Sequence, residues 1–205
     1  MQKNRTLNRR GRGEKAQSNP REKFMPTYIS MLRGINLAGH KRVEMARLRV
    51  MFEGMGFEQV RTYINSGNVV FKTGKSAPAT LSKKIEERMV AEFGFGALVI
   101  TRTAAELGRA IEGNPFVKES RSDPAYVFIG FLEQAPKADA VEKLQARAAK
   151  TEQAHCCGKE IYVYYVDGMG RAKLLTHGVL EKVLAVKATM RNWNTVSKLY
   201  EMAGE

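Results

Sequence analysis

The stretch "QVRTYINSGNVVFKT", Gln59 to Thr73, decides the architecture. Branched and aromatic residues lie on both sides of Asn65-Ser66-Gly67-Asn68, a short turn containing glycine. That pattern predicts two antiparallel strands joined as a hairpin. Upstream, Tyr28 to Asn36 ("YISMLRGIN") reads as a strand ended by Gly and Asn. Leu48, Met51, Phe52 and Met55 then fall at helical spacing, and Gly54 and Gly56 end that helix. Downstream, Leu81, Ile85, Met89 and Phe93 repeat every four residues, with Pro78 near the start of this amphipathic helix. "ALVIT" (97–101) is a short strand, and Thr103 opens a helix to about Ile111 that "GNPF" (113–116) breaks. The order is β-α-β-β-α-β and then a helix. Its first six elements are the split βαβ, or ferredoxin-like, pattern, an antiparallel sheet with both helices on one face.

The second half repeats the order. "AYVFIGFLEQ" (125–134) is a strand, and Val141, Leu144 and Ala148 mark a helix after Pro136. "TEQAHCCGKEIYVYYVDG" is a hairpin turning at Gly158-Lys159, and residues 173–186 read as a helix around Leu175, Val179 and Val183. "KATMRN" is a short strand, and Val196, Leu199, Tyr200 and Ala203 mark a final helix. Thr103…Leu107 and Thr195…Leu199 share a T-x-x-x-L frame 92 residues apart, and Tyr28 and Tyr126 open strands 98 apart. The expectation is an α+β protein of two tandem ferredoxin-like subdomains, 25–116 and 125–205, joined by a linker at 117–124.

The 205 residues carry a net charge of +13, and residues 1–24 hold +6 of it. That segment has almost no apolar residues, so it is expected to be a disordered basic arm. Its "RRGRG" suits nucleic acid, or the segment is an upstream extension, since Met25-Pro26 would make a natural start before the first strand. No apolar run is long enough to span a membrane, and no secretory signal core is present. The only cysteines are the neighbours Cys156 and Cys157, which fits a reduced cytoplasmic compartment.

Few motifs carry chemistry. "RGINLAGHKR" puts a G-x-x-x-x-G loop between a strand and a helix, the setting of a phosphate loop. Lys41 comes one residue late, however, and Val43 follows Lys41-Arg42 where a Ser or Thr should bind magnesium. Such loops also belong to parallel sheets. What remains is either a turn or a looser anion site of Arg33, Asn36, Lys41 and Arg42 at a helix start. Asn65, Ser66 and Asn68 are explained as turn residues, or as a polar hairpin tip. In "RNWNTVSKL", Asn194 or Thr195 is the expected helix cap, and Trp193 packs between strand and helix. Arg191, Asn192 and Lys198 are left as groups able to hold a carboxylate or phosphate. His155-Cys156-Cys157 lacks the further ligands of a zinc site, and strand alternation turns one thiol inward and one outward. No cofactor or metal is expected.

The strings "YISMLRGINLAGHKRVEM", "GFEQVRTYINSGNVVF", "NPF" and "TMRNWNTVSKL" resemble the bacterial DUF1697 proteins, a family of unknown function. The likeness runs from about Met25 to the C-terminus. It implies a cytoplasmic α+β protein of two ferredoxin-like subdomains, and it implies no reaction, cofactor or catalytic residue.

Two functions compete. One is binding of an anionic ligand, nucleic acid or a nucleotide, through the Arg/Asn-rich loops. RNA-recognition domains use such a sheet, but here Phe71 is a lone aromatic in "NVVFKT", and Tyr162, Tyr164 and Tyr165 read more readily as core or sheet surface. The other is an enzyme acting on a small phosphorylated or carboxylated metabolite between the halves. Lys41, Lys198, His40 and Ser66 are candidates for it by residue type alone. A protein-interaction scaffold is the third reading. In a simple unit of this kind the β1–α1 loop and the hairpin tip are expected at opposite ends of the sheet, which argues against one site.

Overall fold

A computed structural model describes residues 25–37 and 41–204 of the chain. The basic arm at 1–24, and Gly39 and His40, lie outside them. The described residues form an α+β structure with two four-stranded antiparallel sheets and seven α-helices.

The first sheet contains β1 (Thr27–Arg33), β2 (Glu58–Tyr63), β3 (Asn68–Lys72) and β4 (Leu98–Thr103) in the order β2-β3-β1-β4. Helices α1 (Met45–Gly54) and α2 (Pro78–Phe93) connect them, and α3 (Ala104–Glu112) follows. The second sheet contains β5 (Val127–Leu132), β6 (Glu152–Cys157), β7 (Glu160–Tyr165) and β8 (Ala188–Asn192) in the order β6-β7-β5-β8. Its helices are α5 (Ala138–Gln145), α6 (His177–Leu184) and α7 (Trp193–Gly204), with α4 (Val117–Ser122) between the halves. The predicted linker thus holds a short helix.

Strand alternation explains the layers. In β1, Tyr28 and Leu32 face a core shared with α1 and α2, while Ile29 and Met31 face the other way. Those two pack in a central core with Ile129 and Phe131 of β5, Leu107 of α3, and Val196 and Leu199 of α7. A third core joins Leu132 and Val163 to Leu144 of α5 and Leu180 of α6. Each sheet is therefore covered on both faces, which is why β1 reads as one apolar run. The trailing helices lie between the sheets and cross over. Tyr162 of β7 donates to Ala110 O of α3 at 2.8 Å, and Arg61 of β2 donates to Met202 O of α7.

Three local readings change. Helix α6 starts at His177 rather than at residue 173. Lys173, Leu174 and Leu175 give their N–H groups to the Glu152 carboxylate at 2.7–3.2 Å, and Thr176 caps the helix by accepting from Val179 N. The α7 cap is Asn192, not Asn194 or Thr195: its Oδ1 accepts from Thr195 N at 3.0 Å. Phe128, rather than Tyr126, holds in the second sheet the position of Tyr28. Tyr28 pairs with Phe71 and Thr103, and Phe128 pairs with Val163 and Asn192. Tyr162 and Tyr165 are both core, on opposite faces of β7. Cys156 is half-buried and Cys157 is exposed.

Candidate functional site

The loop after β1 and the hairpin tip are at the same end of the first sheet, contrary to expectation. Strand β3 runs antiparallel to β1, and Met31 pairs with Asn68. The turn that opens β3 therefore sits beside the end of β1. Leu32 N donates to Gly67 O at 2.8 Å, and a Cβ on Gly67 would lie 2.8 Å from Leu32 Cβ. Only glycine allows that approach with φ +75°.

Asn36 ties the loop to the turn. Its side chain holds Val43 on both sides, accepting from Val43 N at 2.7 Å and donating to Val43 O at 2.9 Å. The second Nδ2 hydrogen goes to Asn65 O at 2.9 Å. Asn36 itself sits at φ +56°, a left-handed conformation that Asn tolerates better than most residues. This bracket presents the start of α1 beside the hairpin. An open cleft of about 570 Å³ results, lined by Asn36, Arg42, Val43, Glu44, Met45, Ala46 and Asn65.

The α1 N-terminus faces that cleft without a side-chain cap, and its first turn holds no acidic residue. Its leading N–H groups and the helix dipole make this end positive. Arg42 is exposed and makes no hydrogen bond or ion pair with the other described residues. Asn65 has an exposed side chain. Glu44 is the single carboxylate in the lining. The sequence reading missed Glu44, Met45 and Ala46. The weak helix start at Glu44, with no Ser, Thr, Asp or Asn in the cap position, was the available signal.

The other predicted residues, apart from Asn194, have structural partners. Arg33 pairs with Glu181 at 2.5 Å and donates to Ala188 O at 2.9 Å, with His177 Nε2 at 3.1 Å. Lys41 reaches Gly96 O at 3.1 Å and lies over the Phe95 ring. Ser66 Oγ accepts from Asn68 Nδ2 at 2.9 Å. Lys198 pairs with Glu201, and Asn194 is exposed at the start of α7. Arg191 is buried, and all five of its N–H donors are taken: by Asn68 Oδ1, Thr189 Oγ1, Met190 O, Leu32 O and Ser66 O, at 2.6–3.1 Å. It joins the halves and grips no ligand. Of the eleven candidates, then, Asn36, Asn65 and Arg42 line the cleft.

Residues 25–162 match the family model described as "Protein of unknown function (DUF1697)". The "TMRNWNTVSKL" string lies beyond that span. Among solved structures, the chain is similar to the conserved bacterial protein SP0830 from Streptococcus pneumoniae. The two share 23% identity with a TM-score of 0.63, over 88% of this chain and 99% of that one. This likeness concerns the fold. No curated protein matches the chain.

Proposed function

The chain belongs to the DUF1697 family, and since that family has no known function, we propose from this member's own geometry that it binds a small anionic ligand at the α1 N-terminus. The two sheets have the same strand order and the same antiparallel pairing, which supports a duplication of a ferredoxin-like unit. One observation carries the functional reading, the asymmetry between those units. Eleven residues, 34–44, join β1 to α1, whereas five, 133–137, join β5 to α5. Four residues, 64–67, separate β2 from β3, whereas Gly158-Lys159 alone separates β6 from β7. The added chain of the first unit builds the cleft. A framework needs neither insertion, because the second unit folds without them.

The ligand class follows from the lining. Uncapped N–H groups, a helix dipole and the exposed Arg42 guanidinium, unpartnered among the described residues, favour a phosphate or carboxylate. Both sheet faces are covered, so no open sheet is offered for stacking bases, and the cleft volume suits a nucleotide or smaller metabolite. The enzyme reading gains one feature, the Glu44 carboxylate, which lines the same cleft and is a general-base candidate by residue type.

The test is a titration of isotope-labelled protein with inorganic phosphate and with a nucleoside monophosphate, following the Met45 and Ala46 amide resonances. Saturable shifts that Arg42→Ala weakens about tenfold support the site. Unmoved resonances at millimolar ligand and low salt would refute it.

A further inference from the structure

Two arginines join the halves in the same way. Arg102 is the last residue but one of β4 and reaches the other unit: Nη2 donates to Leu132 O at 2.8 Å and Lys159 O at 3.2 Å, and Nη1 to the preceding carbonyl of Thr101. Arg191 is the last residue but one of β8 and reaches back: Nη2 donates to Leu32 O at 2.7 Å and Ser66 O at 3.1 Å, and Nη1 to the preceding carbonyl of Met190. Each thus holds the end of the partner unit's first strand and its hairpin turn. In each, Nε goes to the residue that opens the third strand of that unit. For Arg102 that residue is Glu160, at 3.0 Å, and the charge is cancelled. For Arg191 it is Asn68, at 2.6 Å, and none of the hydrogen-bond partners is charged.

A buried cation without a counter-ion is costly, and the matching position shows that a carboxylate fits this framework. Burial lowers the Arg191 pKa to about 10, which still leaves it charged at neutral pH. Its positive charge therefore persists next to the hairpin. Ser66 O, which it holds, is one peptide from Asn65 in the cleft lining.

We propose that Arg191 is the electrostatic positioning residue of the cleft, a buried uncancelled charge that strengthens anion binding from behind the hairpin while its hydrogen bonds fix the turn. This rests on the anion-binding reading. One hydrogen bond and two to three backbone steps put the guanidinium roughly 10 Å from an anion in the cleft. At that range an intermediate dielectric gives an effect of about 2- to 15-fold on affinity.

Asn68→Asp, Asn68→Thr and Arg191→Lys separate charge from scaffolding: both Asn68 variants lose the Nδ2 donors to Tyr63 O and Ser66 Oγ, and only Asp cancels the charge, so Asn68→Thr should keep more affinity than Asn68→Asp. Inorganic phosphate is titrated into the three variants and the wild type, with amide shifts of Met45 and Ala46 as the binding readout and thermal unfolding as the stability readout. Asn68→Asp cancels the charge, and its phosphate affinity falls about 2- to 15-fold, with a shallower salt dependence. Arg191→Lys keeps the charge but loses the fork of five bonds, so its melting temperature falls while phosphate affinity stays within about twofold. Equal phosphate affinity in Asn68→Asp and wild type overturns the proposal, as does an Arg191→Lys protein that loses affinity as Asn68→Asp does. If the wild type itself shows no phosphate shifts, the anion-binding reading fails first and takes this role with it.

Discussion

Glu152→Gln tests how one buried carboxylate organises the second half. Glu152 opens the edge strand β6 and is 6% exposed. Its two oxygens accept from Lys173 N at 2.8 Å, Leu174 N at 3.0 Å and Leu175 N at 2.7 Å. Leu175 is fully buried, and its carbonyl accepts from Tyr165 Oη at 2.7 Å, so the carboxylate fixes a segment that enters the core. Glutamine retains one acceptor oxygen and points an NH2 group at the other donors. At least one N–H is then buried without an acceptor, at a cost of about 1–3 kcal/mol, and the remaining bonds lose their charge assistance, so the total is about 2–4 kcal/mol. In a domain of this size that lowers the melting temperature by roughly 5–12 °C. The pH dependence identifies the cause. Burial raises the Glu152 pKa, but the three backbone N–H groups outweigh it and hold the value below the ordinary 4.5. A carboxylate lowered on folding contributes stability that is complete above its unfolded pKa and is lost as pH falls through the folded value. The wild-type advantage is therefore full at pH 6–7 and shrinks progressively below 4.5. Thermal unfolding by circular dichroism from pH 3 to 7 measures it. A difference that stays constant across that range, or a variant as stable as wild type at pH 7, would refute the reasoning.

Three further outcomes follow from the geometry. Arg102→Met removes the partner of Glu160 and its donors to Leu132 O and Lys159 O, and should cost about 3 kcal/mol in urea unfolding; Glu160→Gln, which keeps a polar partner for Nε, should cost less. Asn192→Ala removes the α7 cap and should cost about 1 kcal/mol, whereas Asn194→Ala should be neutral within about 0.5 kcal/mol. Cys157 is exposed and should react with iodoacetamide at pH 8; burial, and then the neighbouring Cys157, pushes the Cys156 thiol up to about 11, so mass spectrometry should find it unlabelled until the protein unfolds.

The parts of this fold that were legible in the sequence are those set by local pattern. The hairpin at Gln59–Thr73, the helix of Leu81, Ile85 and Met89, and the Thr103 cap each depend on neighbours a few residues away. The late start of α6 was hidden because its cause, Glu152, lies more than twenty residues upstream. Arg102 drew no attention as a strand residue, since its meaning comes from Leu132, Lys159 and Glu160 in the other half. Arg191 was noticed for the right reason, a charge the local turn does not explain. Three of its five partners, however, are protein atoms more than a hundred residues away. In the cleft, Asn36, Arg42 and Asn65 were recognisable by residue type. The contribution of Met45 and Ala46 was not, because it comes from backbone N–H groups that no side chain advertises.

The relation between the halves shows why spacing misleads where register does not. The shared T-x-x-x-L frame suggested that Thr103 and Thr195 correspond. Sheet pairing instead aligns Thr103 with Asn192, since each faces the equivalent residue of the first strand, Tyr28 or Phe128. Each of these two residues caps the helix that follows it. The same alignment places Arg102 with Arg191. It also places Glu86, which accepts from Val99 N at 2.8 Å, with Glu181, which accepts from Ala188 N at 2.7 Å. The same roles recur at these joints, by the same residue for the arginines and glutamates and by a different one for the Thr103 and Asn192 caps, because strand pairing and helix starts demand them. Counted spacing fails wherever a loop differs in length, and the two loops that form the cleft are both longer in the first half than in the second. Matching the halves by hydrogen-bond partner thus separates what holds the fold from what is added to it. The residues of 34–37, 41–44 and 64–67 fall on the second side, with Arg191 behind them as a joint whose hydrogen-bond partners carry no charge.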